Sequence, residues 1–319
     1  MEILFPSFEG PEKKLEIILS APRPEIRPNG DRRWDRVVRA SQAEVIGRAD
    51  TRALDAYLLS ESSLFVWEDR ILMITCGQTT LVKALPEIIR IVGRENIAFV
   101  FYEQKNFMFP HKQPSSFERD VSELAELFPG KYYTLGPANY DHVNVFYSSH
   151  IADMPERDAT LQILMHDADP EAMALFCAEN GGTPEQVEKK SGLSALYDRE
   201  MVMDSHLFSP CGYSLNAITG DQYFTVHVTP QAVGSYVSFE TNIAEPDYSD
   251  TIDRILSIFR PGRFSLVLTT SMDDATRASR KTVIGPLPGY DIADKSLYEF
   301  DCGYGSVFLN FTREQAADC

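Results

Sequence analysis

Residues 209–230, SPCGYSLNAITGDQYFTVHVTP, are typical of two β-strands joined by a tight turn. Gly220 and Asp221 suit the two central positions of that turn, because residues of these types accept a positive φ. Pairing outward from the turn brings Ser214 opposite His227. Directly opposed residues in an antiparallel pair hold their Cβ atoms about 4.5–5.5 Å apart. The stretch therefore predicts a hairpin that places a serine hydroxyl beside an imidazole.

The predicted pair of Ser214 and His227 allows two interpretations. A serine beside a histidine is a recognisable arrangement for activating a hydroxyl or transferring a proton. A histidine packed on a half-buried strand with an incidental serine neighbour gives the same pattern. On the hairpin alone, the plainer packing interpretation is favoured.

A second hairpin is predicted over residues 59–77, LSESSLFVWEDRILMITCG. With the turn at residues 68–69, Glu61 falls opposite Cys76, so a thiol lies beside the bond between Glu61 and Ser62. A buried cysteine usually serves as a small hydrophobic residue, and a run such as SESS usually forms a polar loop. The thiol near this bond is therefore not diagnostic by itself.

The remaining segments predict an α+β protein with antiparallel sheets. Further strand candidates, rich in β-branched and aromatic residues, lie at 97–102, 143–147, 235–239, 264–270 and 306–311. Helices are predicted from a capping box that begins at Ser115, from Thr183-Pro184, and over residues 249–259. Runs of strands joined by short turns, with helices interspersed, are typical of this fold class.

Composition limits the classes of partner. The chain has 319 residues, of which 44% are hydrophobic and 24% charged, as in ordinary globular proteins. Its net charge of -17 argues against nucleic-acid binding, which needs a basic patch, and is compatible with a cationic substrate or with solubility alone. No apolar run approaches the roughly 20 residues of a membrane span, and the N-terminus does not resemble a signal peptide. We therefore expect a cytoplasmic protein without a membrane partner.

The cysteines are five, an odd number, and widely spaced: Cys76, Cys177, Cys211, Cys302 and Cys319. No Cys-x-x-Cys pair occurs, so neither a zinc site nor a disulfide is expected. No other metal is expected either.

Together, these motifs resemble the eukaryotic-type S-adenosylmethionine decarboxylases, a pyruvoyl-dependent family. The matching segments, in order, are Phe8-Glu9-Gly10-x-Glu12-Lys13, residues 59–66, Thr75-Cys76-Gly77, Pro210-Cys211-Gly212-Tyr213-Ser214, His227-Val228-Thr229-Pro230 and residues 236–242. The resemblance covers nearly the whole chain. It implies a single domain over residues 1–319, folded as a four-layer αββα sandwich of two large antiparallel sheets flanked by helices.

The resemblance implies that the chain cuts itself between Glu61 and Ser62. The products are a β chain of residues 1–61 and an α chain of residues 62–319 whose first residue becomes a pyruvoyl group. This group forms a Schiff base with the substrate amine and withdraws electrons as carbon dioxide leaves. Pyridoxal phosphate plays that part in other enzymes and is not expected here. The product is the aminopropyl donor for spermidine and spermine synthesis.

The resemblance also assigns roles to the surrounding residues. Ser214 and His227 assist the processing, and an imidazole near neutral pKa suits the general-base work. Cys76 donates the proton that replaces the lost carboxylate. Glu9 and Glu12 belong to the same catalytic group.

For the substrate, S-adenosylmethionine, the resemblance implies that Phe8 and Phe208 stack on the two faces of the adenine. Flat rings stack well and also favour a nearby sulfonium cation. Glu61 becomes a new C-terminus beside the substrate. Gln231 stands where the family has a glutamate for the ribose hydroxyls, and an amide still accepts a hydrogen bond but lacks the charge.

Some members of the family bind putrescine as an activator in an acidic site. Glu16, Asp158 and Glu240 match acidic positions of that site. Gln162 replaces a further acid and Ile74 replaces a lysine, which favours constitutive activity over control by putrescine. A homodimer is a further expectation.

Two other functions stay open at this stage. The first is an inactive homologue that regulates such an enzyme, although proteins of that kind typically lose the cleavage serine or its helpers. The second is pyruvoyl chemistry on another amino acid, such as ornithine or arginine, for which Gln231 leaves room. The pair of Phe8 and Phe208 argues against the second, because a small amino acid does not need an adenine sandwich.

Overall fold

The structure, a computed structural model, describes residues 8–27, 32–150, 155–180, 182–232 and 234–314. Its first sheet contains eight strands: β1 (Lys13–Leu19), β2 (Val45–Asp50), β3 (Asp55–Leu59), β4 (Ser62–Val66), β5 (Arg70–Thr75), β6 (Ile97–Lys105), β7 (Lys131–Leu135) and β8 (Val143–Ser149). The strand order is β2-β3-β4-β5-β1-β6-β8-β7. Neighbouring strands run antiparallel, and β1 lies inside the sheet, between β5 and β6.

The second sheet repeats the connectivity of the first. Its strands are β9 (Ala159–His166), β10 (Val202–Leu207), β11 (Tyr213–Thr219), β12 (Gln222–Thr229), β13 (Tyr236–Thr241), β14 (Arg263–Ser271), β15 (Tyr290–Glu299) and β16 (Tyr304–Arg313). The antiparallel order β10-β11-β12-β13-β9-β14-β16-β15 equals the first order with every strand number raised by eight. The two halves of the chain are therefore a structural repeat, which no sequence pattern had indicated.

Helices cover the outer faces of both sheets. They are α1 (Arg33–Ala40), α2 (Ala84–Val92), α3 (Phe117–Leu127), α4 (Pro170–Ala174), α5 (Pro184–Ser191), α6 (Ser249–Phe259) and α7 (Arg277–Thr282). One apolar cluster joins α1, α2 and α3 to the first sheet, and another joins α4, α5 and α6 to the second. Two further clusters lie between the sheets. The predicted α+β fold with four αββα layers is confirmed, and no helix in the described ranges is long and apolar enough to cross a membrane.

Two of the three predicted helix starts are confirmed. The capping box of α5 is present between Thr183 and Gln186, and α6 spans the predicted residues. At α3, the cap is Ser116, whose side chain accepts a hydrogen bond from the backbone N–H of Arg119. The capping box predicted from Ser115 is therefore wrong by one residue.

Both predicted hairpins have the predicted register. Ser214 pairs with His227 across β11 and β12. Ser62 pairs with Thr75 across β4 and β5, and the ladder continues one step further, where the backbone N–H of Cys76 donates to the carbonyl oxygen of Glu61 at 2.9 Å. Turn chemistry and the two-residue period of a strand were enough to place these pairs.

Cys177 and Cys211 form a disulfide, and here the expectation of no disulfide is wrong. Cys177 follows α4 and Cys211 precedes β11, and an isolated β-bridge pairs the two residues. They are 34 residues apart in sequence. Their spacing resembles no common disulfide pattern, so only the folded chain shows that they meet.

Replacing Cys177 or Cys211 by serine should lower the free energy of unfolding by about 2–4 kcal/mol, because a crosslink over a loop of this length restricts the unfolded chain. Urea denaturation without reductant measures the change. Cys302→Ser is the matched control, since Cys302 is a free thiol. If Cys177→Ser unfolds within about 0.5 kcal/mol of the unsubstituted protein, the bond does not contribute as stated.

Candidate active site between the two sheets

The hairpin of β11 and β12 faces β4 of the other sheet, and polar side chains bridge the gap. Ser63 Oγ lies 2.6 Å from Asn216 Oδ1 and 3.1 Å from His227 Nε2. On the hairpin itself, Ser214 Oγ lies 2.9 Å from His227 Nδ1, so the two predicted partners are in contact. All four side chains are buried. The two predicted hairpins thus form one enclosed polar site.

The bond between Glu61 and Ser62 lies at the edge of this site. Ser62 has a φ of 133°, in a region that L-residues rarely adopt, and such a conformation costs about 1–3 kcal/mol. Its side chain is buried, and within the described ranges its Oγ has no hydrogen-bond partner. An unbonded hydroxyl next to a strained peptide link is available as a nucleophile.

The carbonyl oxygen of Glu61 accepts two hydrogen bonds from Cys76. The backbone N–H donates at 2.9 Å and Sγ at 3.4 Å. Donors aimed at a carbonyl oxygen stabilise the negative charge that develops there when its carbon is attacked. Burial, helped by the carboxylates of Glu61 and Glu12, raises the pKa of the Cys76 thiol well above its ordinary value. The sulfur therefore keeps its proton at neutral pH.

Two carboxyl groups of the site titrate far above their ordinary range. Burial raises the pKa of Glu61 to about 7, and in the described part of the chain its Oε2 has no partner. Burial raises the pKa of Glu12 to about 8, although Ser238 donates to its Oε1 at 2.5 Å. Near neutral pH, both groups can therefore hold or release a proton.

Glu9 has a different environment from the other predicted catalytic carboxylates. Its two carboxylate oxygens accept the backbone N–H groups of Met108 and Phe109, each at 2.7 Å. Its own carbonyl oxygen accepts the N–H of Gly77 at 2.8 Å. Glu9 therefore links the loop after β6 and the segment after Cys76 to the segment that precedes β1.

The two predicted adenine-stacking rings lie beside glycines of the site. A Cβ added at Gly77 would meet the ring of Phe8 at 3.1 Å and a carboxylate oxygen of Glu61 at 2.6 Å. Phe208 lies against Gly212, and its backbone N–H donates to the carbonyl oxygen of Gly212 at 2.8 Å. Both side chains are partly exposed, and the ring of His206 lies against that of Phe208 with centroids 4.6 Å apart.

Gln231 lies directly after β12 and is partly exposed. Its backbone N–H donates to the carbonyl oxygen of Thr229 at 3.0 Å. This turn fixes the backbone of the residue predicted to bind the ribose.

The three residues predicted to bind putrescine come together between the sheets. Arg70 lies 3.2 Å from a carboxylate oxygen of Glu16 and 2.6 Å from one of Asp158. Lys14 Nζ lies 3.0 Å from Glu240 Oε2. The acidic cluster is therefore paired with two cations of the chain itself.

Gln162 further limits the negative charge of the acidic cluster. Its side-chain amide donates to Glu103 at 2.7 Å and to Glu240 at 2.8 Å, where an acid would have added a further negative charge. A cavity adjoins the cluster. Its polar lining comprises Lys14, Glu16, Asp158, Thr160, Thr269 and Tyr304.

Comparison with known proteins agrees with this geometry. The sequence matches the family model described as adenosylmethionine decarboxylase over residues 6–312. The chain belongs to the adenosylmethionine decarboxylase family. Membership explains why one polar layer between two sheets combines a strained serine, an unusual thiol and a buried histidine.

Within the adenosylmethionine decarboxylase family, the similarity extends over whole chains. The S-adenosylmethionine decarboxylase proenzyme of Xenopus laevis is 34% identical over 97% of this chain and 96% of the relative. The proenzyme of Dictyostelium discoideum is 33% identical over 95% of this chain and 85% of the relative. The crystal structure of the Trypanosoma brucei AdoMetDC-delta26 monomer, 28% identical, superimposes with a TM-score of 0.65 over 79% of this chain and 99% of that one.

Several residues of the site were not predicted from the sequence. Ser63, Asn216 and Thr225 complete the hydrogen bonds around His227, and Lys14 pairs with Glu240. For Asn216 and Thr225 a signal existed, because each lies two residues from a predicted site residue and shares its face of the strand.

One group of three potential metal ligands occurs in the described ranges, Cys177, Glu179 and Cys211. Its two sulfur atoms are bonded to each other as a disulfide, so they are not available as thiolate ligands.

Gly77→Ala should slow self-cleavage by about tenfold or more, since about 1.4 kcal/mol is a factor of ten in rate. Gly77 has a φ of 66°, and an added Cβ would push on both Glu61 and Phe8. The rate is measured as conversion of full-length protein to two chains on denaturing gels.

Gly289→Ala is the matched control, because Gly289 also has a positive φ, 79°, but a Cβ there would meet nothing within 4 Å. Equal cleavage rates for the two variants would show that the space beside Gly77 does not matter.

Proposed function

We propose that this chain cuts itself between Glu61 and Ser62 and then decarboxylates S-adenosylmethionine with the pyruvoyl group that the cut leaves at residue 62. One observation carries the proposal: two donors of Cys76 hold the carbonyl oxygen of Glu61 next to the unbonded hydroxyl of Ser62. Membership of a family whose relatives are named proenzymes supports the same function.

In the first step, Ser62 Oγ attacks the carbonyl carbon of Glu61. The carbonyl oxygen becomes negative, and the N–H and S–H of Cys76 stabilise that charge. The carbon–nitrogen bond then breaks, the nitrogen takes up a proton, and an ester joins Glu61 to the side chain of Ser62. The strained φ of Ser62 raises the energy of the peptide before the attack and so lowers the barrier.

In the second step, a base removes the α-proton of Ser62, and the bond between Cβ and Oγ breaks with release of the Glu61 carboxylate. Water then replaces the nitrogen of the remaining unsaturated residue, releasing ammonia and leaving the pyruvoyl group. We assign the base to His227. Burial lowers its pKa to about 3, below the near-neutral value expected from the sequence, so the ring is a weak base but is neutral with a free lone pair at neutral pH.

The surroundings of Ser62 fit such a group, because the residue is buried and its side-chain oxygen has no competing partner in the described ranges. When present, the pyruvoyl group supplies a carbonyl that accepts the electron pair left by carbon dioxide. Cys76 contributes a thiol that still carries its proton, which suits a donor to the substrate carbon. Phe8 and Phe208 offer ring faces for the adenine, and Gln231 offers an amide for the ribose.

The alternative functions are less well supported. An inactive regulatory homologue would not need the unbonded Ser62 hydroxyl or the donors of Cys76, and both are present. A decarboxylase of ornithine or arginine would not need two partly exposed aromatic rings beside the site. We therefore favour S-adenosylmethionine as the substrate.

We further propose that activity does not require putrescine. Lys14 and Arg70 already pair with the acidic cluster, and the amide of Gln162 donates to two carboxylates that a diamine would otherwise contact. Burial acts to lower the pKa of Lys14, but the carboxylates of Glu240 and Glu103 reverse this effect and keep the pKa above its ordinary value. Lys14 is therefore a permanent cation at this place.

A homodimer and a cytoplasmic location stay predictions. Both sheets end in edge strands that are available for pairing, β7 and β15, and each carries an exposed apolar side chain, Tyr132 and Leu297.

Ser62→Ala should abolish cleavage. Cys76→Ala should still cleave, but more slowly because the S–H donor to the Glu61 carbonyl is gone, and it should lose most decarboxylase activity. The alanine at residue 76 keeps the backbone N–H that holds the Glu61 carbonyl but removes the thiol proton. Intact mass under denaturing conditions reports cleavage, and carbon dioxide release from S-adenosylmethionine reports turnover.

Ornithine and arginine serve as comparison substrates in the same assay. Unsubstituted protein that persists as a single 36.0 kDa species through long incubation would refute the self-cleavage. Normal turnover by Cys76→Ala would refute its role as proton donor, and faster release from ornithine would refute the substrate.

Putrescine should leave the activity of the unsubstituted protein unchanged, within about twofold. Lys14→Ala should lower the activity, and putrescine should partly restore it, because the variant leaves Glu240 unpaired and opens space for an added cation. Steady-state rates with and without putrescine measure both effects.

Lys83→Ala, which removes an exposed lysine paired with Glu123, is the control for loss of a positive charge. A several-fold stimulation of the unsubstituted protein would show that the cations of the chain do not replace the diamine.

A further inference from the structure

Thr225 touches the imidazole that the proposed cleavage needs. Its Oγ1 lies 2.8 Å from His227 Nε2, two residues further along β12. On the facing strand, Asn216 pairs with Thr225 as Ser214 pairs with His227. Because side chains alternate along a strand, these four lie on one face of the hairpin, directed at Ser63 of the other sheet.

The hydroxyl of Thr225 has one proton, and its contacts determine where that proton goes. Oγ1 lies 3.0 Å from the backbone carbonyl oxygen of Leu215 and 2.9 Å from Asn216 Oδ1. A carbonyl oxygen can only accept, so these contacts use the proton of Thr225. None is left for His227 Nε2. The 2.8 Å contact is then favourable only if Nε2 carries the ring hydrogen and Thr225 accepts it.

The orientation of the Asn216 amide does not change this result. Turning the amide around would present its nitrogen to Thr225, and the proton of Thr225 would then go to Leu215 alone. The oxygen of Leu215 belongs to the backbone and cannot be exchanged for a donor. In both orientations Thr225 has no proton to offer to His227.

We propose that Thr225 is a positioning residue that holds the ring proton of His227 on Nε2 and so leaves Nδ1 as the base, facing Ser214. The inference rests on the proposed self-cleavage. Nδ1, which lies 2.9 Å from Ser214 Oγ, is then the ring nitrogen that can take up the α-proton removed in the second step of the self-cleavage. The ring becomes an imidazolium, and its Nε2–H stays bonded to Thr225.

The reverse tautomer would turn an N–H towards Ser214 and leave the lone pair on Nε2, against Thr225 and Ser63. Burial keeps the ring neutral, as its lowered pKa shows, so it carries one proton and the choice between its two nitrogens decides the chemistry. With the Asn216 amide oriented as in the structure, Ser63 supports the same tautomer, because its oxygen lies 3.1 Å from Nε2 while its proton goes to Asn216 Oδ1 at 2.6 Å.

Thr225→Val keeps the shape of the side chain and removes the hydroxyl, and it should slow cleavage by about tenfold to a hundredfold, within the range of a misplaced general base. Thr225→Ser should restore the rate to within about threefold. Ser265→Ala is the matched control, since it removes another buried hydroxyl of the same sheet that is bonded to an asparagine, Asn310, away from His227. It should cleave at the unsubstituted rate.

Nitrogen-15 NMR of histidine-labelled Ser62→Ala protein reports the tautomer directly, without cleavage. The signal of His227 is identified by its loss in the Ser62→Ala, His227→Gln double variant. Nδ1 should be the unprotonated nitrogen, and adding Thr225→Val should give a mixture of the two tautomers. A role of Thr225 in stability alone would not move the proton between the ring nitrogens.

Unprotonated Nε2 in the Ser62→Ala protein overturns the inference, even if Thr225→Val does not fold. Cleavage of Thr225→Val at the unsubstituted rate also overturns it. If the unsubstituted protein does not cleave, the proposed function is refuted instead, and the NMR experiment still decides the tautomer.

Discussion

The face-to-face contact of the two sheets is the constraint on which the site depends. Side chains enclosed between them have lost water, so each polar atom needs a protein partner or remains unbonded. Phe65 stacks on Tyr223 across the gap, with ring centroids 4.3 Å apart, and closes the layer on one side. In such an enclosure, the two donors on the carbonyl oxygen of Glu61 act more strongly than they would in water.

Many acidic side chains also lie close together between the two sheets. Some are paired with cations, as Asp158 is with Arg70 and Glu240 with Lys14. Others can hold a proton near neutral pH, since burial raises the pKa of Glu12 to about 8 and that of Glu103 to about 7. Pairing and protonation therefore both limit the unpaired charge between the sheets, in a chain whose net charge is -17.

The sequence was sufficient where local rules act and insufficient where distant segments meet. Turn residues and strand alternation placed Ser214 on His227 and Cys76 on Glu61, and the structure confirms both pairs. The same rules could have found Asn216 and Thr225. Ser63 carries no local signal, because its partners lie on the other sheet, more than 150 residues away. The repeat of one strand order in both sheets was also invisible, since it is a property of connectivity and not of residue type.

The position of β1 means that the cut protein depends on having folded as a single chain before the proposed cut. β1 belongs to the shorter chain, yet both of its edges are bonded within the longer one, to β5 and to β6. Without it, the first sheet would be split and two strand edges would lose their partners. A single chain brings β1 to this place within one molecule, whereas separated chains would have to find each other at their bulk concentration. The cut molecule therefore keeps an arrangement that it reached as one chain. After complete unfolding, the two chains would have to associate before the first sheet could form again.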